Sequence, residues 1–598
     1  MIPTINLDLL PMKGHYLFFN AATAPIVPFL PTIARQLGFS GTIVGIIYTV
    51  LTITGMFAKP IMGGIADRFH SKKLMFLLFQ VVTAVSMLGI NFISEIPTES
   101  KVHFACDNGA AVFDTSVSNK NITDNCAPAR IAAENGLRDI LHCQMSCEVP
   151  NASIYKTVCE NWKSAKYCLD HPEKFEFTAQ VPVDTILLMD ENMFFRVPNV
   201  TMLDGSTVKP ICPNAESSIS TVCDMTCDSH AINSLISETR VDTHEYLYYH
   251  QFWLFLMLAI FVWVGMAVVV SVGDAICFEK LGDKPNLYGN QRLWGSIGWG
   301  TFSIIAGFLV DANSEGETKK NYSSAFYLML VMMGLDVLVS SRLKYNQINI
   351  SNNILRDVGK LISRPRIVVF LCWCAFVGAC TGCLWQFQFW LLEDLARLQE
   401  NNSGCDMHLW IKTLEGLVMG IQCLGGELPF FFLSGWILKR IGHIHCMSIV
   451  LLGIGIRYVL YSTLVDPWWV LPIELLNGVT FGLFYATMAS YASIAAPPGT
   501  EATIQGLVGA VFEGVGMSLG NTISGVLYDK YGGWTTFKSF GIVSLILCFV
   551  HILIQRFLLS SSAKNKDFDE ETSTRYAPPK EAIRILDEEN QELALVRD

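Results

Sequence analysis

Charged residues are scarce in this sequence of 598 residues. Only 16% are Asp, Glu, Lys or Arg, whereas 51% are hydrophobic, and the mean hydropathy is +0.38. A water-soluble protein has about 25% charged residues, because water must solvate most of its surface. The composition therefore excludes an ordinary soluble protein and favours one whose surface lies largely in lipid.

Motifs of the common enzyme classes are also missing. The sequence contains no P-loop, dinucleotide-binding fingerprint or nucleophile elbow, so we predict that the protein is not an enzyme and needs no cofactor or metal. The net charge of −11 comes largely from residues 96–245 and the acidic tail, so it does not indicate nucleic-acid binding. The first apolar segment lacks the cleavage site of a signal peptide, and we interpret it as a retained anchor.

Long apolar segments are what the sequence does contain. About 20 apolar residues are needed to cross a hydrocarbon core of roughly 30 Å. We therefore predict an all-α polytopic membrane protein with twelve transmembrane helices. The predicted spans are residues 14–37, 41–62, 74–95, 246–271, 293–310, 324–341, 367–390, 411–437, 446–464, 468–494, 504–527 and 537–559.

A short motif occurs once in each half of the chain. GFLVD at residues 307–311 recurs as GVLYD at residues 525–529, an offset of 218, whereas a basic turn at residues 64–68 recurs more weakly at 435–439, an offset of 371. The second offset exceeds the first by about 150, so the first half contains about 150 extra residues between the two motifs. Only residues 96–245 form a stretch of that length without long apolar runs. We interpret the chain as a duplicated apolar unit with a polar insert.

This pattern predicts the domain organisation and the topology. Lys and Arg are concentrated in the connector and in the turn after the second span, which places both termini in the cytoplasm and the insert outside, at the plasma membrane or an endolysosomal membrane. The predicted units are helices 1–3 in residues 1–95, the insert in 96–245, helices 4–6 in 246–341, a cytoplasmic connector in 342–366, helices 7–12 in 367–560 and a disordered cytoplasmic tail in 561–598.

Cysteines and glycosylation sequons agree with this topology. Disulfides form in an oxidising compartment, and the insert holds an odd number of cysteines, so we predict that Cys405 in a later outer loop bonds to one of them. Two C-x3-C motifs indicate a loop-rich domain held by disulfides, with zinc binding as the alternative. The candidate disulfide residues are Cys106, Cys126, Cys143, Cys147, Cys159, Cys168, Cys212, Cys223, Cys227 and Cys405, and the sequons begin at Asn121, Asn151, Asn199, Asn321 and Asn401.

Two ionisable residues in consecutive spans should meet inside the membrane. Arg457 and Glu474 lie at similar expected depths, about 18 Å and 21 Å above the cytoplasmic face. An unpaired charge there would be costly, so we predict a buried ion pair. The pair has either a structural role or a contact with a transported solute.

Two acids are candidates for proton coupling. Glu513 lies near the membrane midplane with no opposite charge in its own helix, so it could gain and lose a proton; the alternative is permanent pairing across the bundle. Asp336 lies in the middle of the sixth span, and its alternative is a solvated acid at a helix end.

Other polar residues and prolines indicate where the spans could line a cavity. Lys59, Arg292 and Glu427 lie near the cytoplasmic ends of spans two, five and eight, where snorkelling to the interface is the alternative to a functional role. Three prolines in the first span predict a broken helix. In span seven, aromatic and amide side chains could bind a sugar, or form an interfacial aromatic belt: Trp385, Gln386, Gln388 and Trp390.

Residues 63–73, GGIADRFHSKK, resemble the loop between spans two and three of the major facilitator superfamily, G-x-x-x-D-R-x-x-x-K-K. Residues 288–300, 474–482 and 514–529 are similar to the major facilitator superfamily domain-containing protein 6 family, which resembles the branch of lactose permease and the nucleoside:proton symporters. The resemblance implies two pseudo-symmetric six-helix bundles around a midplane cavity, with Asp67 and Arg68 acting in conformational change. Leu438 replaces the corresponding acid in the second half.

The same resemblance places spans five and eight side by side, so we hypothesise that Arg292 and Glu427 form a cytoplasmic gate. The predicted function is proton-coupled symport of a small polar solute by a monomeric transporter in the lipid bilayer. The alternative is a cell-surface receptor or adhesion protein that binds a protein ligand through residues 96–245.

Overall fold

The structure is a computed structural model. It describes residues 9–68, 72–96, 101–107, 110–116, 140–148, 159, 162, 174–183, 187–189, 192–211, 219–229, 232–233, 245–281, 288–314, 319–343, 365–403, 410–495 and 506–562.

The first apolar segment is a broken helix, as its prolines predict. α1 spans Leu10–Thr23 and α2 spans Leu30–Gln36, and turns connect them. Pro25 and Pro28 lie in the connection, where each removes a backbone donor and disfavours helical geometry in the preceding residue. Pro31 lies in the first turn of α2, a position where a missing N–H does no harm.

Long apolar helices make up most of the remaining described chain. The first half continues with α3 (Gly41–Arg68), α4 (Lys72–Ile90), α5 (His250–Leu281), α6 (Tyr288–Asn313) and α7 (Ser323–Ser341). The second half contains α8 (Pro365–Ser403), α9 (Ile411–Gly420), α10 (Leu428–Ile441), α11 (His443–Tyr461), α12 (Val470–Glu474), α13 (Phe484–Ala495) and α14 (Ser518–Ser562). Short 3₁₀ helices span Glu245–Tyr248 and Pro467–Trp469.

Ten helical stretches in the described part of the chain are long and apolar enough to cross a membrane. One of them, Gly506–Arg556, has 51 residues, far more than a single crossing needs. It is interrupted at Gly532, whose φ of 77° and ψ of 172° are not helical and suit glycine. The protein is therefore a multi-pass membrane protein.

Three helices of the second half contain π-helical segments. These are Ile421–Glu427 between α9 and α10, Gly478–Leu483 before α13, and Ala510–Met517 before α14. A π segment widens the helix locally and is frequent at functional sites. Two of the acids singled out in the sequence, Glu427 and Glu513, belong to such segments.

The insert contains an antiparallel sheet, with nine strands in its described residues. They are β1 (Lys101–Asp107), β2 (Ala110–Ser116), β3 (Ile140–Glu148), β4 (Lys174–Pro182), β5 (Leu187–Met189), β6 (Asn192–Arg196), β7 (Asn199–Met202), β8 (Thr207–Val208) and β9 (Ile219–Cys227). Their order across the sheet is β5-β6-β2-β1-β9-β3-β4-β7-β8. The expectation of an all-α chain with a loop-rich insert is therefore wrong for this region. This region forms strands because buried and exposed residues alternate along segments such as β3, so one face of the sheet is buried.

Both C-x3-C motifs lie on adjacent strands and bond to each other. Cys143 is directly opposite Cys227 and Cys147 is directly opposite Cys223 in the β3–β9 ladder, and both pairs are disulfides. Cys159 is also disulfide-bonded. Beside this ladder, Trp162 is fully buried against aromatic rings that include Phe104. The thiols form disulfides, so the zinc alternative does not apply to these four residues.

Candidate transport pathway between the two halves

The two ends of the helical body can be distinguished by the sheet. α4 ends and α5 begins at the end that carries the sheet, which we call the sheet end. The junction is fixed by hydrogen bonds: the Ile96 N–H donates to the Leu37 carbonyl at 3.1 Å, and the Tyr246 hydroxyl donates to the Gly38 carbonyl at 2.9 Å. The start of α3 therefore lies at the sheet end, and Arg68 lies toward the opposite end.

Asp529 of the repeated motif caps a helix that belongs to the other half. Its Oδ1 accepts a hydrogen bond from the Gly41 N–H at 2.8 Å, and its Oδ2 accepts one from the Thr42 N–H at 2.7 Å. These are the first two residues of α3, and the first N–H groups of a helix have no partner within the helix. A carboxylate is favoured there by hydrogen bonding and by the helix dipole.

Asp311, at the matching position of the motif, caps a helix of the second half. It accepts hydrogen bonds from the N–H groups of Lys412 at 3.3 Å and Thr413 at 2.6 Å, at the start of α9. Trp410, the residue before α9, supplies no side-chain cap of its own. The two aspartates therefore make reciprocal contacts between the halves, which we call the sheet-end caps. The repeated motif was visible in the sequence, but the helix-capping role of its aspartates was not.

Glycines allow both capped helices to approach closely. The Cα of Gly45 lies 3.2 Å from the position that a Cβ on Gly525 would occupy, and the Cα of Gly416 lies 3.3 Å from the matching position on Gly307. Both approaches place helix backbones in contact, which a larger side chain would prevent. Each half therefore docks on the other through the same pair of features, a glycine and an aspartate cap.

A cluster of charged residues covers the sheet end next to the caps. Arg35 of α2 lies 3.1 Å from Glu393 and 2.6 Å from Asp394, both on α8. Lys412 of α9 lies 2.5 Å from Glu393 and 3.0 Å from Glu415, and its side chain is only 1% exposed. None of these five residues was predicted as a site residue, because each lies at a span end where charged side chains are common.

Two tyrosines complete this cluster as neutral hydrogen-bonding groups. The Tyr528 hydroxyl donates to Asp394 at 2.7 Å. Burial raises the pKa of Tyr322 to about 12, so its phenol stays protonated, and its ring lies 5.7 Å from the Lys412 ammonium. The contacts of Arg35 with Glu393 and Asp394 therefore join the two halves through charged groups at this end.

Arg457 and Glu474 form the predicted ion pair. Arg457 Nη2 lies 2.5 Å from Glu474 Oε2, and the side chains are 2% and 0% exposed. Glu474 also accepts hydrogen bonds from Gln388 at 2.5 Å and Gln422 at 2.6 Å, and from the Tyr461 hydroxyl. These donors satisfy the remaining lone pairs of the Glu474 carboxylate, as a buried ion pair requires. Gln388 serves this network and not an aromatic belt.

This network reaches a cavity within the second half. Arg457 Nη1 donates to Asn477 at 2.7 Å and to Thr480 at 2.9 Å, and the Asn477 amide donates to Glu427 at 3.0 Å. The cavity is small, with about 20 Å³ open to the centre of a water molecule, and combines an aromatic wall with polar groups. It is lined by Cys380, Thr381, Leu384, Trp385, Ile454, Arg457, Tyr458, Asn477, Thr480 and Phe481.

The proposed gate residues Arg292 and Glu427 have other partners in this structure. Arg292 Nη1 lies 2.8 Å from Asp274 Oδ2 on α5, and Asp274 Oδ1 accepts a hydrogen bond from the Tyr16 hydroxyl at 2.7 Å. Glu427 accepts the hydrogen bond from Asn477. The sequence identified these ionisable residues, but the depth of a residue does not specify which helix face it occupies.

Asp336 is deeply buried and paired, unlike the solvated acid of the alternative interpretation. Its Oδ1 lies 2.9 Å from His15 Nδ1, and the two side chains are 0% and 2% exposed. Ser340 donates to Asp336 at 3.3 Å and accepts from the Gln80 amide at 3.1 Å. His15 was missed because one histidine in an apolar span is usually a core residue.

Glu513 pairs with Lys59 across the halves. The Lys59 ammonium lies 2.5 Å from Glu513 Oε2, and the side chains are 39% and 42% exposed. This contact joins α3 to the π segment before α14, toward the end opposite the sheet. The arrangement agrees with pairing across the bundle, the alternative given for Glu513, and not with an isolated acid in a dry space.

Several predicted residues lie partly or wholly outside the described part of the chain. Asp67 and Arg68 occupy the last turn of α3, but their side chains are not described. Asn199 begins β7, and the Asn321 side chain accepts a hydrogen bond from the Ser323 N–H at 3.1 Å. Asn401 lies in the last turn of α8, but its side chain is not described. Asn121, Asn151 and the residues Cys126, Cys168, Cys212 and Cys405 are not among the described residues, and neither is the side chain of Cys106.

Comparison with known proteins agrees with this architecture. Residues 9–539 match the model of the MFS_1 like family. Major facilitator superfamily domain-containing protein 6-like protein A of Xenopus laevis is 22% identical over 93% of this chain and 94% of its own length. The maltose permease of Geobacillus stearothermophilus is 22% identical over 51% of this chain and 72% of its own length.

A solved structure has a similar fold. The crystal structure of nucleoside transporter NupG aligns with a TM-score of 0.54 at 14% identity, over 92% of this chain and 99% of that chain. At this identity the likeness establishes the fold alone. Since the family model covers most of the sequence, the chain belongs to the MFS_1 like family of the major facilitator superfamily.

Proposed function

We propose that the protein moves a small polar solute across a membrane by alternating access, with the sheet-end caps as the contacts that break when that end opens. The reciprocal capping by Asp311 and Asp529 is the observation that carries this proposal. Both contacts cross between the halves, both use backbone N–H groups, and both can be replaced by water when the halves separate. The relatives named as permeases and transporters support the same class.

The proposal includes twelve transmembrane passages in two six-helix bundles. The broken α1–α2 segment supplies one passage, and the interruption at Gly532 divides Gly506–Arg556 into two, which adds to the other nine long apolar stretches. The sheet then lies between the third and fourth passages, on the outer side, with both termini in the cytoplasm. The proposed domain boundaries are those predicted from the sequence.

Two further contacts are assigned roles in the cycle. We infer that Lys59 and Glu513 hold the opposite end closed, in place of the Arg292/Glu427 gate, because their pair joins the halves there. For a coupled proton, the buried His15–Asp336 pair is the better supported site, since a carboxylate enclosed by protein can be neutralised by one proton. The fully hydrogen-bonded Arg457–Glu474 pair supports a structural role.

The alternative, a receptor that binds a protein ligand through residues 96–245, has no support from relatives named as permeases and transporters. The experiment that tests transport is uptake into proteoliposomes with an imposed proton gradient, using maltose, sucrose and uridine as labelled solutes. Gradient-dependent uptake by the intact protein, lost in Asp311→Lys, is expected. Absence of uptake for every solute, combined with fixed accessibility of both ends to impermeant thiol reagents, would contradict the proposal.

A further inference from the structure

Two buried amide side chains lack any hydrogen-bond partner among the described residues. Gln386 on α8 is 2% exposed and Asn521 on α14 is 1% exposed, and neither the oxygen nor the nitrogen of either amide is bonded. Leaving a buried polar group unpaired destabilises the folded state, so native proteins contain few of them. Four unpaired atoms in two neighbouring helices therefore require an explanation.

The two amides belong to one region, at the contact of α8 with α14. A Cβ on Gly382 would overlap Asn521 Oδ1, so this amide lies directly against α8. Gln386 follows one turn later on α8, on the same helix face as Gly382. A Cβ on Gly45 of α3 would meet the Asn521 backbone carbonyl, which places this region beside the glycine crossing between the halves.

The break in the first span faces the same stretch of α8. Phe389 packs on Phe29 with ring centroids 5.6 Å apart, and Trp390 Nε1 donates to the Pro31 carbonyl at 2.9 Å. Gln386 precedes these residues by about one turn. Broken helices in transporters line binding sites near the membrane midplane, because their freed backbone groups can contact a solute.

We propose that Gln386 and Asn521 bind the transported solute, which is an uncharged molecule with both hydrogen-bond donors and acceptors, such as a polyhydroxylated ring. This inference rests on the proposed transport function. A primary amide offers two donors and an acceptor but no charge. Arg35 and Asp394, which lie toward the sheet end, are paired with each other, so a charged solute would find no free counter-charge in them. In this structure the sheet end is closed and the amides are enclosed.

Stability provides the first test, with a matched control on the same helix. Gln386→Met and Asn521→Leu remove unpaired groups, so each variant should melt at the same temperature as the parent protein or higher. Gln388 is equally buried but hydrogen-bonded to Glu474, so Gln388→Met should melt lower. In solute uptake, Gln386→Met should raise the KM roughly tenfold, the effect of about one lost hydrogen bond. A lower melting temperature with unchanged KM would mean that the amides have a structural role, and would overturn the proposal.

Thiol labelling separates failure of this inference from failure of the transport proposal. Two cysteine variants are made in the intact protein: Gln386→Cys tests the solute site, and Phe389→Cys reports opening of the sheet end. Each is combined with Asp311→Asn and Asp529→Asn. Its labelling by an impermeant reagent is then compared with labelling in the parent protein. If neither position becomes reactive, the opening itself fails. If only Phe389→Cys reacts, the solute site is overturned and transport stands.

The class of solute is tested in the variant where Gln386→Cys reacts. We expect maltose, sucrose or uridine at millimolar concentration to slow its labelling, and glutamate and lysine to have no effect. Protection by charged probes alone, or by none of the five, would overturn the assignment of an uncharged solute.

Discussion

Asp311 and Asp529 lie 218 residues apart in sequence, yet each carboxylate accepts hydrogen bonds from the first N–H groups of a helix in the opposite half. A duplicated unit that docks on its own copy must make the same contact twice. The repeat therefore has a mechanical meaning: the halves are joined at the sheet end by two equivalent polar contacts, each beside a glycine crossing. Breaking either one should weaken the same interface.

Neutralising the sheet-end caps should shift the protein toward opening at that end. Asp529→Asn keeps the shape but removes the charge and one acceptor oxygen, so the contact should weaken by about 1 kcal/mol. We expect faster thiol labelling at Phe389→Cys and a larger effect in the double variant with Asp311→Asn. Asp466→Asn is the control, because Asp466 caps only its own turn through the Trp468 N–H at 2.9 Å. Equal labelling in Asp529→Asn and the control would contradict the role of the caps.

Breaking the Arg457–Glu474 pair should destabilise the second half. Glu474→Gln leaves a buried guanidinium without a counter-charge, and removal of one partner of a buried pair costs about 3–5 kcal/mol. The expected result is a large drop in the melting temperature of the detergent-solubilised protein, with partial recovery in Arg457→Met combined with Glu474→Leu. A Glu474→Gln protein that melts like the parent but transports nothing would instead assign the pair to the solute.

The Lys59–Glu513 pair should affect conformation more than stability. Both side chains are about 40% exposed, so solvent screening limits the contact to about 0–1 kcal/mol. Lys59→Glu should increase labelling from the face opposite the sheet with little change in melting temperature, and adding Glu513→Lys should reverse it. Persistent labelling in the double reversal would mean that the pair does not hold that end closed.

Proton coupling can be assigned by comparing two acids. Asp336→Asn cannot exchange a proton, so we expect it to abolish accumulation of solute driven by a proton gradient while exchange of solute down its own gradient continues. Glu513→Gln should retain gradient-driven accumulation. The opposite result, with accumulation lost only in Glu513→Gln, would return the coupling role to Glu513.

Sequence reasoning was most reliable where a property depends on depth or on covalent chemistry. Matching depths predicted the Arg457–Glu474 contact, and prolines predicted the break between α1 and α2. The two C-x3-C motifs indicated disulfides, but only strand register determines that Cys143 bonds Cys227. Apolar runs in the sequence predicted long helices that could cross a membrane, but not how these helices face one another.

Partners on other helices were the features that the sequence did not reveal. His15 and Asp336 are 321 residues apart, and Lys59 and Glu513 are separated by 454. Pairing at such separations depends on the rotation of each helix about its axis, which changes by 100° per residue and cannot be fixed by a span boundary uncertain by several residues. For the same reason, Arg292 was selected as an ionisable residue, but its ion pair with Asp274 was not predicted.

Distances between spin labels at the two ends test the central claim most directly. One pair, Gln36→Cys with Arg397→Cys, reports the sheet end, and a second, Ile65→Cys with Arg440→Cys, reports the opposite end. In the Asp311→Asn, Asp529→Asn background, we predict that the sheet-end distance lengthens while the opposite-end distance shortens or stays short. Distances that remain unchanged, or that lengthen together at both ends, would contradict alternating access controlled by the sheet-end caps.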